Sequence, residues 1–193
     1  MKLAVIKYNA GNIRSVAYAL ERLQVSFDIT DSPEAISAAD KVIFPGVGEA
    51  SSTMKYLKAH KLDEVIRSLK QPTLGICLGM QLMCAHSEEN DTKCLGIFDE
   101  KVLLFRSDDL KIPHMGWNSL EKVGGWLSPK LENKYAYFVH SYYVPLSSHT
   151  VAQTEYGISF ASALRKDNFY AVQFHPEKSA EIGVMVLQNF LNQ

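Results

Sequence analysis

Cys77 stands in "GICLG", with a glycine two residues away on either side, immediately after the short apolar run "TLGI". A G-x-C-x-G pattern at a strand-to-helix junction allows the sharp turn and close chain approaches of a nucleophile elbow, by analogy with the serine version of that motif. The helix N-terminus that follows favours thiolate over thiol and offers free N–H groups. Cys84 lies seven residues on in the same apolar segment and Cys94 sits in polar "NDTKCLG". Neither is beside an elbow, so both read as buried thiols acting as small hydrophobes.

A thiolate that forms acyl intermediates needs a base and proton donor. "AVQFHPEKS" supplies His175 at the end of an apolar strand and Glu177 two residues on, where a carboxylate can reach the second ring nitrogen and fix its tautomer. The competing reading is a strand-end histidine beside a surface charge. His140 in "VHSYY" is the rival base, without an acid close in sequence. An oxyanion hole requires N–H donors aimed at the developing charge. The Leu78 amide is one candidate, and Val47 in "FPGVGE" is the other, since that loop follows a neighbouring strand and overhangs the same sheet edge. A plain tight turn is the alternative for this loop, which lacks the lysine and hydroxyl of a phosphate-binding loop.

These residues need a sheet to bring them together. Apolar runs "LAVI" (3–6), "VSFDI" (25–29), "KVIF" (41–44) and "TLGI" (73–76) alternate with helical patterns, among them Ile13, Val16, Ala17, Leu20 and Leu23, a start at Ser32-Pro33-Glu34, and "LDEVIRSL" in the last crossover. Such alternation predicts βαβ units and a parallel sheet. The second half reads as extended segments "KVLLF", "YAYFVHSYYV", "TVAQTEY", "ISFASALRK" and "NFYAVQF", which predict a mixed sheet. Ser179 is expected to cap a closing helix that turns Ile182, Met185, Val186 and Phe190 inward. The fold class is therefore α/β, an open, mixed, mainly parallel sheet flanked by helices.

The 193 residues, 47% of them hydrophobic, suit one domain spanning 1–193. A formal net charge of -1 supplies no basic footprint for nucleic acid and no charged face for a membrane. No apolar run approaches a membrane span, and "LAVI" is too short for a signal-peptide core, so the expected location is cytoplasmic. Three cysteines without close pairs give no zinc site, and no metal is expected.

Together "PGVGE", "GICLGMQLM", "VHSYY" and "FHPEKS" resemble the class I glutamine amidotransferases, the triad-type glutaminases, in order and spacing across most of the chain. Within that family, "YNAGNIRSV", "PHMGWN" (113–118) and "HPEKS" are similar to the glutaminase subunits of imidazole glycerol phosphate synthase. The resemblance implies a flavodoxin-like core, hydrolysis of L-glutamine to glutamate and ammonia without a cofactor, and delivery of the ammonia to a separate (β/α)8-barrel cyclase subunit in histidine biosynthesis. It also implies that Gly48, Gln81, Glu89, Ser141 and Tyr142 line the substrate site, and that Asn12, Trp117 and Lys178 face the partner. Glu89 lies in polar "SEEND", where a solvated acid is the competing reading. The chain departs from the family at Lys7-Tyr8-Asn9, where Asp-Tyr-Gly is common. Three other functions are a stand-alone cysteine hydrolase, a scaffold that has kept the fold, and a paralogue feeding ammonia to a sugar-modifying synthase.

Overall fold

Short apolar runs make the strands that carry the candidate nucleophile and base: "TLGI" follows Pro72 and "FYAV" follows Asp167-Asn168. The computed structural model describes residues 1–8 and 12–193; Asn9 of the departing tripeptide lies outside them. The first half runs β1 (Leu3–Ile6), α1 (Ile13–Arg22), β2 (Phe27–Thr30), α2 (Pro33–Ser37), β3 (Lys41–Phe44), α3 (Ala50–Ala59), α4 (Leu62–Ser68), β4 (Thr73–Ile76) and α5 (Leu78–Met83). The second half adds β5 (His86–Ser87), β6 (Thr92–Lys93), β7 (Lys101–Leu104), β8 (His114–Ser119), β9 (Tyr135–His140), β10 (Tyr142–Tyr143), β11 (Thr150–Tyr156), β12 (Ile158–Lys166), β13 (Phe169–Val172) and α6 (Ala180–Leu191).

Seven strands form the main sheet in the order β11-β12-β13-β4-β3-β1-β2. The five from β13 to β2 are parallel, and β12 and β11 extend the sheet antiparallel. Every residue of β1, β3, β4 and β13 is buried, the pattern of strands covered on both faces. Alternate residues serve opposite cores: Ala4, Ile6, Val42 and Phe44 pack under α2 to α4, while Leu3, Val5, Ile43 and Leu74 pack under α1 and α6.

Three expectations need correction. "YAYFVHSYYV" is not one extended segment: it breaks at Ser141 into β9, which pairs with β8 in a two-stranded sheet, and β10, which joins the four-stranded sheet β10-β7-β5-β6. The crossover before β4 holds two helices, because α3 precedes "LDEVIRS". In α6 the buried residues are Gly183, Val186, Leu187 and Phe190, whereas Ile182 and Met185 are only partly covered.

Candidate active site

Register places the chemistry. In the parallel pair β13 and β4, Val172 lies opposite Ile76, so the residues that follow each strand emerge at the same carboxyl edge. Cys77 follows β4 directly, and its N–H donates to the Val172 carbonyl at 2.8 Å. Its backbone is turned sharply, with φ 52° and ψ −106°, a conformation that non-glycine residues hold only under surrounding constraint. The constraint is close packing of α5 against the sheet. A Cβ on Gly79 would lie 2.1 Å from the Phe44 carbonyl oxygen, and one on Gly75 would lie 2.9 Å from the Gly79 backbone. The two flanking glycines are thus contact surfaces of the elbow.

His175 ends the β13 segment, buried, with its N–H on the Tyr137 carbonyl at 2.9 Å. Ser179 precedes α6 but does not cap it through its side chain. Its hydroxyl donates to the His175 carbonyl at 2.7 Å and accepts the Tyr137 N–H at 2.9 Å, so the expected cap instead ties the base to β9. His175 Nδ1 bonds Glu177 Oε1 at 2.8 Å, with both side chains 1% exposed. Asn12, expected at a partner face, is half-buried and donates to the same Oε1 at 2.5 Å. With two donors on Oε1, Nδ1 carries the hydrogen, and Nε2 is left to the thiol side. Burial of the ring disfavours imidazolium, but the charge and hydrogen bonding of Cys77, then of Glu177, outweigh it and push the His175 pKa up to about 10. The rival, His140, is also buried, and its pKa is pushed down to about 3, chiefly by burial.

The cleft beside Cys77 has a volume of about 320 Å³ and is lined by Val47, Gly48, Leu78, Gln81, Glu89, Ser141 and Tyr142 among others, which brings all the expected substrate and oxyanion residues together. Gln81 is committed through its nitrogen: Nε2 donates to the Tyr142 carbonyl at 2.9 Å and to Gln173 Oε1 at 3.0 Å. Its Oε1 is therefore the atom offered to a ligand, an acceptor suited to an ammonium. Glu89 gives one oxygen to the Ala50 N–H of α3 at 2.8 Å, and burial raises its pKa. Gln173 was not singled out from sequence, although its Nε2 lies 3.6 Å from Cys77 Sγ. It stood inside an apolar strand run in which one polar residue carried no separate signal.

The two N–H groups expected to form an oxyanion hole do not point to a common site. The Gly46 carbonyl accepts the Leu78 N–H at 3.3 Å. A trans peptide directs its C=O and N–H to opposite sides, so the Val47 N–H faces away from Leu78. The reason is local: the first N–H groups of a helix lack intrahelical partners, and a nearby carbonyl satisfies one. Tyr8 backs this loop, its hydroxyl donating to the Pro45 carbonyl, and a Cβ on Gly46 would lie 2.3 Å from that hydroxyl.

On the outer face of β8, Met115 and Trp117 are exposed, with Tyr135 on β9. Trp117 packs edge-on against Tyr137 at 6.0 Å, and Lys178 Nζ lies 5.8 Å from the same ring, so two of the three expected partner-facing residues meet around Tyr137.

The chain matches the family described as "Glutamine amidotransferase class-I" over residues 4–193. It belongs to that family. This class I glutamine amidotransferase is 57% identical over 195 residues to "Imidazole glycerol phosphate synthase subunit HisH" of Bacteroides thetaiotaomicron, covering 100% of both chains. It is 44% identical over 191 residues to the protein of that name from Idiomarina loihiensis, covering 99% of this chain and 97% of the relative. Among solved structures, a glutamine amidotransferase superposes with a TM-score of 0.76 at 18% identity, covering 98% of this chain and 97% of the other. PurLQS from Thermotoga maritima gives 0.72 at 16%, covering 99% and 97%. At those identities the likeness is one of fold, the mixed sheet flanked by helices.

Proposed function

We propose that this chain is a single-domain glutaminase, the ammonia-supplying subunit of an imidazole glycerol phosphate synthase in histidine biosynthesis. The observation that carries the reading is the Cys77 elbow lining a cleft suited to one amino acid, on the same sheet edge as a buried His175 that feels the Cys77 charge and whose Nδ1 is held by Glu177. Near-half to over-half identity to full-length relatives named as that subunit supports the pathway.

In this mechanism the Cys77 thiolate attacks the side-chain amide carbon of glutamine, and the carbonyl oxygen becomes an oxyanion. Collapse of that intermediate breaks the C–N bond as His175 Nε2 protonates the leaving nitrogen, giving ammonia and a thioester. His175 then takes a proton from water, which attacks the thioester and releases glutamate. Glu177 keeps Nδ1–H in place throughout, and Asn12 keeps Glu177 in place. Oxyanion stabilisation requires the Gly46–Val47 peptide to turn, freeing the Leu78 N–H and presenting that of Val47. Docking of a (β/α)8-barrel cyclase on the Trp117, Tyr137 and Lys178 face, beside the same edge, is the event that favours the turn. Trp117 and its exposed neighbours suit an interface core.

The test is glutamate release measured with and without the cognate cyclase and its nucleotide substrate. Activity on glutamine that rises with the partner is expected, and Trp117→Ala and Lys178→Ala should weaken association or uncouple ammonia delivery while the chain stays folded. No glutamine hydrolysis under either condition would overturn the assignment.

A further inference from the structure

Two buried histidines that the mechanism does not use face each other across the β8–β9 hairpin. His114 and His140 are register partners, and His114 Nδ1 lies 3.0 Å from His140 Nε2. The surrounding groups fix every hydrogen. His140 Nδ1 meets the Tyr142 carbonyl at 2.7 Å; a carbonyl only accepts, so Nδ1 carries the proton and Nε2 is a lone pair. His114 must then donate from its own Nδ1, which leaves its Nε2 to accept from Asn118 Nδ2 at 3.3 Å. The Asn118 amide cannot be the other way round, because its oxygen accepts the Ser119 N–H at 2.8 Å and its nitrogen donates to the Glu155 carbonyl at 2.9 Å.

We propose that His114 and His140 are positioning residues of the glutamine pocket, a one-way hydrogen-bond relay that holds the Tyr142 carbonyl in the pocket wall. The role rests on the glutaminase reading above. The Tyr142 carbonyl also accepts Gln81 Nε2, so both its lone pairs are filled, and Gln81 in turn orients Gln173 towards Cys77 Sγ. The pocket's acceptor, Gln81 Oε1, is thus aimed by a chain whose outer end is Asn118. The relay works only while both rings are neutral, since a second proton on either would set donor against donor. Burial pushes His114 down to about 4 and His140 down to about 3, which keeps them neutral at physiological pH.

His114→Phe keeps the ring that stacks on Phe138 and Tyr156 but removes the donor; His114→Asn supplies a nitrogen near the position of Nδ1. With the cognate cyclase present, His114→Phe should raise the KM for glutamine about tenfold, the scale of one buried acceptor left unsatisfied, while changing kcat by about threefold or less. His114→Asn should return KM to within about threefold of the unaltered chain, on the same scale. Nitrogen-15 spectra of the histidines should show both rings as Nδ1–H tautomers at neutral pH, a signature that mere packing does not dictate. If His114→Phe does not fold, Asn118→Ala removes the outer donor from a half-buried site and should raise KM in the same direction. An unmoved KM beside normal unaltered-chain activity, no recovery in His114→Asn, or an Nε2–H tautomer on His140 overturns the relay alone. An unaltered chain that neither binds nor hydrolyses glutamine overturns the function, and this role with it.

Discussion

Glu177→Gln replaces a charged acceptor with a neutral one of the same shape, and Asn12 decides how the new amide faces. His175 Nδ1 and Asn12 Nδ2 both point hydrogens at Glu177 Oε1, at 2.8 and 2.5 Å, so the introduced amide is compelled to put its oxygen there. The imidazole then keeps its tautomer and loses only the charge. Hydrogen bonds to charged groups contribute about 1.5–3 kcal/mol and neutral ones about 0.5–1.5 kcal/mol, a difference between midpoints of about 1.25 kcal/mol. With both side chains 1% exposed, solvent screens little of it. The expected result is a kcat about tenfold lower and a His175 pKa roughly one unit lower. In an Asn12→Ala background that constraint is gone, the amide nitrogen can face Nδ1, and the ring is driven to the tautomer that cannot take the thiol proton. A wrong tautomer costs about 10⁴ in a catalytic triad, so the same substitution should there lower kcat by a further thousandfold or so. Glutamate release across the four chains of this cycle, with the His175 tautomer read by nitrogen-15 NMR, makes the measurement. Equal factors in both backgrounds would refute the orienting role of Asn12.

A glutamine-shaped electrophile should label Cys77 and spare Cys84 and Cys94, whose thiols burial pushes up, that of Cys94 to about 12; peptide mapping reads the site, and labelling of either buried thiol contradicts it. Gly79→Ala, with its Cβ 2.1 Å from the Phe44 carbonyl oxygen, should destabilise the chain by roughly 3 kcal/mol or more, whereas Gly124→Ala, with open space around it, should stay within about 0.5 kcal/mol in denaturant titrations. His175 binds its proton more tightly folded than unfolded, so that stabilisation is fully present below about pH 6.5 and is lost as the pH rises through about 10. The denaturation midpoint should therefore fall between those limits, less steeply in His175→Gln, and parallel profiles would contradict this.

The strands nearest the chemistry were the most legible part of the sequence. "KVIF" and "TLGI" were bounded as they fold, because a strand buried on both faces must be apolar throughout and its neighbours break the run. Helix α3 was not, since "ASSTMKYLKA" buries only Ala50, Thr53, Met54 and Leu57 and leaves its start to Glu49, whose side chain caps the Ser51 and Ser52 N–H groups. The break at Ser141 was hidden because "YAYFVHSYYV" is rich in aromatic and β-branched residues and has no Gly or Pro to mark a turn. Candidate site residues close in sequence to a motif were found together in the cleft, but partnerships made by folding alone were not. Asn12 and Glu177 lie 165 positions apart, and the orientation of the Gly46–Val47 peptide is a choice between two states of the same residues.

The place of β13 in the sheet has a consequence for biogenesis. It is the last strand made, yet it sits between β4 and β12, joining the parallel strands to the antiparallel pair. Until it arrives, the nascent chain carries an unprotected "TLGI" edge, all apolar or small on its outer residues, of the kind that templates aggregation. The strand that covers this edge also delivers Gln173 and His175, so the hazard ends and the proposed base reaches the Cys77 edge in one event. Trp126 packs edge-on against Tyr170 of that strand at 5.4 Å, placing a natural fluorophore at the docking step. Refolding followed by its emission should track the return of glutaminase activity, making the enzyme its own reporter of completed assembly.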